Sequence, residues 1–169
     1  MSELQFRKLT AEEIEVKVSQ VKANGTALLL YKTARVDMDL LDEVVGPERW
    51  SNDYKDIKGN LYCGICIDNV WKWDCGIESR ADSAGNEKKG EASDAFKRAG
   101  FRWGIGRELY TAPFIWIPAD KLSKDASGKA AGHDRFSIEK ITYDDLGRIS
   151  GLAIKNQEGK RVYVYQRAT

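Results

Sequence analysis

Two hydrophobic periods alternate along the chain. Val16 and Val18 interleave with Lys17 and Ser19, and Val21 follows, a period of two that predicts a strand over Glu15–Val21. Asn24-Gly25 is a tight-turn pair, and Thr26–Thr33 forms a second, more apolar strand, so the two read as a β-hairpin. Just upstream, Thr10 with Glu13 three residues on makes a capping box that opens a short helix. From Ala34 to Val45 the period changes. Val36, Leu40 and Val44, with Met38, Leu41 and Val45, recur at helical spacing until Gly46-Pro47 stops the run. Trp50–Ile57, Leu61–Asp68 and Val70–Glu78 follow as strands, joined at Lys58-Gly59-Asn60 and Asp68-Asn69. These turns are too short for parallel crossovers, so the three strands form an antiparallel meander.

A polar loop, Arg80–Asn86, leads into the longest helical pattern, Glu87 to about Arg107. Ala92, Ala95, Phe96, Ala99 and Trp103 draw one apolar stripe along it, so this face packs on the meander, with Phe96 and Trp103 as its bulky anchors. Phe-Ile-Trp-Ile between Pro113 and Pro118 reads as a short strand. Residues 120–134 are rich in Gly, Ala, Ser and Lys and read as a mobile loop. Phe136–Tyr143, Arg148–Lys155 and Arg161–Gln166 then form a second meander. The expectation is an α+β fold in one domain over 1–169: an antiparallel β-meander packed by a long helix (a β-β-β-α core), with an N-terminal β-hairpin and a C-terminal meander over 136–166.

Composition changes this picture little. With 169 residues, 42% hydrophobic and 31% charged, the chain suits one soluble globular domain. The three cysteines, Cys63, Cys66 and Cys75, are an odd number and point to a reducing compartment rather than a disulfide framework. The N-terminus has no apolar signal-peptide region, and no apolar run approaches the ~18 residues of a membrane span. A soluble cytoplasmic protein with no membrane partner is expected.

Candidate chemistry is sparse. Cys63, Cys66, Cys75 and His133 suggest zinc, but strand residues three apart face opposite ways, so Cys63 and Cys66 read as buried small residues. Gly128-Lys129 and Gly159-Lys160 are followed by Ala and Arg, not Ser or Thr, so neither is a nucleotide-phosphate loop. Gly104-x-Gly106 closes a helix rather than opening one, the wrong dipole end for phosphate. Asp37, Asp39, Asp42 and Glu43 read as a solvated helix face; a metal-dependent nuclease using Asp37, Asp39 and Glu43 is the sharper alternative. With no nucleophile, base and acid in a recognisable arrangement, neither an enzyme nor a cofactor is expected.

Charge is informative only locally. The whole chain carries a net +1, whereas Lys88, Lys89, Lys97, Arg98, Arg102 and Arg107 against Glu87, Glu91 and Asp94 give the long helix 6 − 3 = +3. By pattern alone such a stripe is as well explained by a solvated helix pairing its own charges, Asp94 with Arg98 for example.

The residues also carry a resemblance. Leu41-Asp42-Glu43-Val44-Val45-Gly46-Pro47-Glu48-Arg49-Trp50, Tyr62-Cys63-Gly64-Ile65-Cys66-Ile67, Glu87-Lys88-Lys89-Gly90-Glu91-Ala92-Ser93-Asp94-Ala95-Phe96-Lys97-Arg98-Ala99 and Trp103-Gly104-Ile105-Gly106-Arg107-Glu108-Leu109-Tyr110 occur in that order. This resembles the Rad-fifty-two type of single-strand annealing protein, in the compact form encoded by bacteriophages and prophages. The resemblance spans roughly Tyr31–Trp116 and implies a β-β-β-α DNA-binding core over 33–117. It implies ATP-independent binding of single-stranded DNA and annealing of complementary strands in recombination and repair, by a homo-oligomeric ring or filament in the host cytoplasm. A single-strand-binding protein would be a further partner. The family's Lys-Arg pair on phosphates matches Lys97 and Arg98, and a further arginine matches Arg35 with a one-residue shift. Where some members carry another arginine this chain has Phe101, with Arg102 one position on; Arg102 and Lys89 complete the candidate DNA-binding set. The alternative is a double-stranded-RNA-type or general nucleic-acid-binding module without annealing activity. Trp50, Tyr54, Tyr62, Trp71 and Trp73 lie in or beside the meander, suited to base stacking or to packing.

Overall fold

The structure, a computed structural model, describes residues 3–77, 86–130 and 132–168. The polar loop expected at 80–86 falls, up to residue 85, outside the described residues, as does Glu78 at the expected end of a strand. The fold is α+β, and the chain divides into two compact units interleaved in sequence.

The first unit comprises Lys32–Arg107 with the N-terminal segment through Lys8. It holds α1 (Ala34–Val44), β3 (Trp50–Ile57), β4 (Asn60–Ile67), β5 (Val70–Cys75) and α2 (Asn86–Arg102); β1 (Glu15–Lys22) and β2 (Gly25–Tyr31) belong to the other unit. Its three strands form an antiparallel sheet in the order β3-β4-β5. Two-residue turns join them, Lys58-Gly59 and Asp68-Asn69, all four residues having positive φ. That is the turn whose twist matches a right-handed hairpin.

Directly opposed residues of antiparallel strands share a face. Cys63, Ile65 and Ile67 of β4 and Lys72 and Asp74 of β5 therefore lie on one side, and Gly64, Cys66, Trp71, Trp73 and Cys75 on the other. α2 covers the first side: Ala95, Phe96 and Ala99 are buried, and so are Cys63, Ile65 and Ile67. Leu40, Leu41 and Val45 of the α1 region complete this core, while Met38, expected in the apolar stripe, is exposed.

α2 ends at Arg102, five residues before the expected Arg107. Gly104, at φ 98°, takes the left-handed conformation; its N–H donates to Phe101 O at 3.0 Å, and Ile105 N–H reaches back to Gly100 O at 3.0 Å. This pair of bonds closes a helix by satisfying its last carbonyls, with buried Ile105 as the accompanying apolar contact. Trp103 still serves as an anchor, since its indole N–H donates to Ile65 O at 3.0 Å.

The second unit, Leu9–Tyr31 with Glu108–Thr169, contains β6 (Ile115–Pro118), β7 (Phe136–Tyr143), β8 (Ile149–Asn156) and β9 (Arg161–Gln166) beside β1 and β2. They form one six-stranded sheet, β6-β2-β1-β7-β8-β9. The N-terminal hairpin and the C-terminal meander, read as separate features, are thus one sheet, joined where Glu15 pairs with Ser137. The Phe-Ile-Trp-Ile strand, read as part of a 33–117 core, pairs instead with β2. At 120–134, Leu122 is buried, Lys124 bridges to Ala130, and the Asp134 carboxylate accepts bonds from Ser123 and Gln157. The capping box forms, with Glu13 accepting from Thr10 N–H at 2.9 Å, over a single turn of 3-10 helix, Ala11–Glu13.

Candidate nucleic-acid interface

α2 presents cations on both flanks of its buried stripe, and adjacent positions on a helix diverge by about 100°. Lys97 and Arg98 therefore face different surroundings. Arg98 turns toward β5, where its guanidinium lies 3.5 Å from Asp74; Arg102, one turn on, meets the other Asp74 oxygen at 3.1 Å. Burial alone would raise the Asp74 carboxyl. The Cys75 N–H, the Arg102 hydrogen bond and the charges of both arginines outweigh it and hold the group below the usual carboxylate range.

Two further cations join this edge. Lys72 donates to Arg102 O at 3.3 Å and lies 4.3 Å from the centre of the Trp103 ring. Arg107 donates to Phe101 O at 2.7 Å and Arg102 O at 2.8 Å, placing its charge at the negative end of the helix dipole. Lys72, Arg98, Arg102 and Arg107 against Asp74 and Asp94, whose carboxylate accepts from Ile77 N–H at 3.0 Å, give 4 − 2 = +2 at the junction of β5 and α2. Arg98 and Arg102 remain 40% and 60% exposed.

Lys97, half-buried, lies on the α1 side, where its charge favours ionisation of Asp37 and its carbonyl accepts from Lys32 Nζ at 3.1 Å. Arg35 is exposed in the first turn of α1, and Lys89 is exposed near the start of α2. The structure thus brings Arg98 and Arg102 together and sets Lys97, Arg35 and Lys89 at separate positions of the same two-helix layer. Lys72 was missed because nothing in the pattern of a strand shows which helix will cross its edge.

The acidic helix face needs correction. Asp37, expected in solvent, is fully buried and pairs with buried Lys32 at 2.5 Å, while Lys32 also sits 4.0 Å from the Phe101 ring centre. Asp39 is exposed and Glu43 pairs with Arg7, so the three carboxylates of the nuclease alternative do not converge. Cys63 lies under α2, where burial pushes its thiol up to about 11, and Cys66 and Cys75 face the other way. Among the described residues no group of three or more His, Cys, Asp or Glu is placed to hold a metal ion, and no helix is long and apolar enough to cross a membrane.

Compared with models of known protein families the chain matches none, and it has no significant match among curated proteins.

Proposed function

We propose that this chain is a nucleic-acid-binding protein of the single-strand annealing class, which holds single-stranded DNA along the α2–β5 edge and pairs complementary strands without ATP. The observation that carries the reading is the meeting of Arg98 and Arg102 on Asp74, with Lys72 and Arg107 on the neighbouring helix carbonyls of the same edge. The ordered sequence blocks of the resemblance fall largely on the same β-β-β-α unit. Cations of this kind neutralise phosphates and release counterions, giving sequence-independent, salt-sensitive affinity. Strand pairing itself then supplies the free energy of annealing. The resemblance adds assembly as a homo-oligomeric ring or filament in a bacterial cytoplasm, with a single-strand-binding protein as the species displaced.

The test is fluorescence anisotropy of labelled oligothymidylate across a salt series, beside an ATP-free annealing assay with complementary strands. Arg98→Ala/Arg102→Ala should weaken binding by about ten-fold or more and flatten the logarithmic salt dependence by roughly 1.4, the value for two lost phosphate contacts. Its circular dichroism should stay as in the wild type. Unchanged affinity at moderate salt would remove these two residues from the interface. Preferential binding of double-stranded RNA would favour the alternative module.

A further inference from the structure

β5 is an edge strand whose two faces differ. The basic junction with α2 lies on one; the other carries Trp71 and Trp73. α2 packs on the first face, beside Lys72 and Asp74. The two indoles are stacked, with ring centres 5.3 Å apart and planes inclined by 20°. Trp73 lies directly over Gly64, where a Cβ would fall 2.4 Å from the ring, so only glycine lets the indole settle on the sheet. Lys55 holds its ammonium 4.3 Å from the Trp73 ring centre. Trp71 is 43% exposed, a large area for an indole outside any core.

We infer that Trp71, backed by Trp73 on Gly64, is a base-stacking platform for single-stranded nucleic acid. This inference rests on the proposed function and adds to it a second, uncharged contact. An indole stacked on a second indole loses little freedom when a planar base joins the pile, and every base has a π-face to offer. The charges suit the same occupant. Lys55 flanks the rings on their own face, with Asp53 opposite Gly64 as the acid beside it, while Lys72, Arg98 and Arg102 lie across the strand edge, so a polynucleotide following β5 meets indole with its bases and the cations of that edge with its phosphates. An acidic protein surface would satisfy the cations but would leave the indole stack without a planar partner.

The experiment compares oligothymidylate with an abasic deoxyribose-phosphate oligomer of equal length, by anisotropy, for wild type, Trp71→Ala, Trp71→Phe and Arg98→Ala/Arg102→Ala. Wild type should bind the oligothymidylate more tightly than the abasic oligomer. Trp71→Ala should lose about five-fold or more on oligothymidylate and nothing on the abasic strand, and Trp71→Phe should recover most of the loss. The Arg98/Arg102 variant should weaken both ligands alike. Trp71→Ala binding both oligomers as wild type does overturns the platform while leaving the proposed function standing. Wild type binding neither oligomer at low salt overturns both. A drop in assembly size for Trp71→Ala, measured by light scattering without DNA, overturns the platform in favour of a contact between copies.

Discussion

Asp37 and Asp74 each face two cations, and helix α2 supplies a cation to both: Lys97 to the first, Arg98 and Arg102 to the second. Their surroundings set them apart. Asp37 is wholly buried with Lys32, and loss of hydration pushes its carboxyl up to about 6 despite both lysines. Asp74, on the sheet edge, is held below its ordinary range by its hydrogen bonds and arginines, because water still shares the cost of its charge. A buried ion pair acts strongly on folding when one partner is removed, whereas an exposed one at an edge contributes little to it.

The largest expected effect is therefore at the buried pair. Asp37→Ala takes from the buried Lys32 ammonium its carboxylate partner, and should cost about 3 kcal/mol in urea unfolding at neutral pH. Asp37→Asn, which keeps an oxygen for Lys32, should cost less. Its pH dependence has a definite sign. The folded carboxyl titrates near 6 and the unfolded one near its usual ~3.9, so between those values the folded state holds the extra proton. That contribution is full below about pH 4 and is lost as pH rises through about 6. The stability gap between wild type and Asp37→Asn should widen as pH falls across this window. A gap that narrows there would mean that Lys32 outweighs burial.

A smaller effect is expected where the two helices meet. A Cβ on Gly100 would fall 2.1 Å from Asp37 Oδ1 and 3.4 Å from Lys32 Nζ, so the glycine makes room for the buried pair. Gly100→Ala gains about 1 kcal/mol of helix propensity but must displace a packed carboxylate, which typically costs about 1–3 kcal/mol. A net loss of about 1–2 kcal/mol in thermal or urea unfolding is expected. A variant more stable than wild type would show that the pair can shift without penalty.

The smallest effect on folding belongs to the edge. Asp74→Asn keeps an acceptor for the Cys75 N–H but removes the charge shared by Arg98 and Arg102. Stability should change by less than about 1 kcal/mol. Oligothymidylate should bind more tightly with a steeper salt dependence, since two guanidinium groups are released to phosphate. Weaker binding would place Asp74 as an organiser of the arginines rather than their competitor.

Much of the local structure was legible along the chain. Period-two and helical patterns located the N-terminal hairpin, both meanders and the two helices, because a strand or helix that buries one face must repeat apolar residues at its own pitch. The Ala92–Trp103 stripe marked the side of α2 that meets the sheet. The helix end was misplaced, since Trp103 continues the apolar spacing while Gly104 breaks the backbone. The basic character of α2 was also visible, but the partners of its cations were not.

What the sequence determined by itself is therefore local: element types, the tight turns, the buried stripe, and a helix with an excess of positive charge. Only the tertiary structure decided that adjacent Lys97 and Arg98 serve different neighbourhoods, that Lys32 and Asp37 form a buried pair, and that the two ends of the chain share one sheet. It alone placed Lys72 beside Arg102 and laid Trp73 on Gly64. The physical reason is common to all of these. Periodicity reports which face of an element avoids water, whereas the partner a charge or ring will meet depends on contacts between elements distant in sequence.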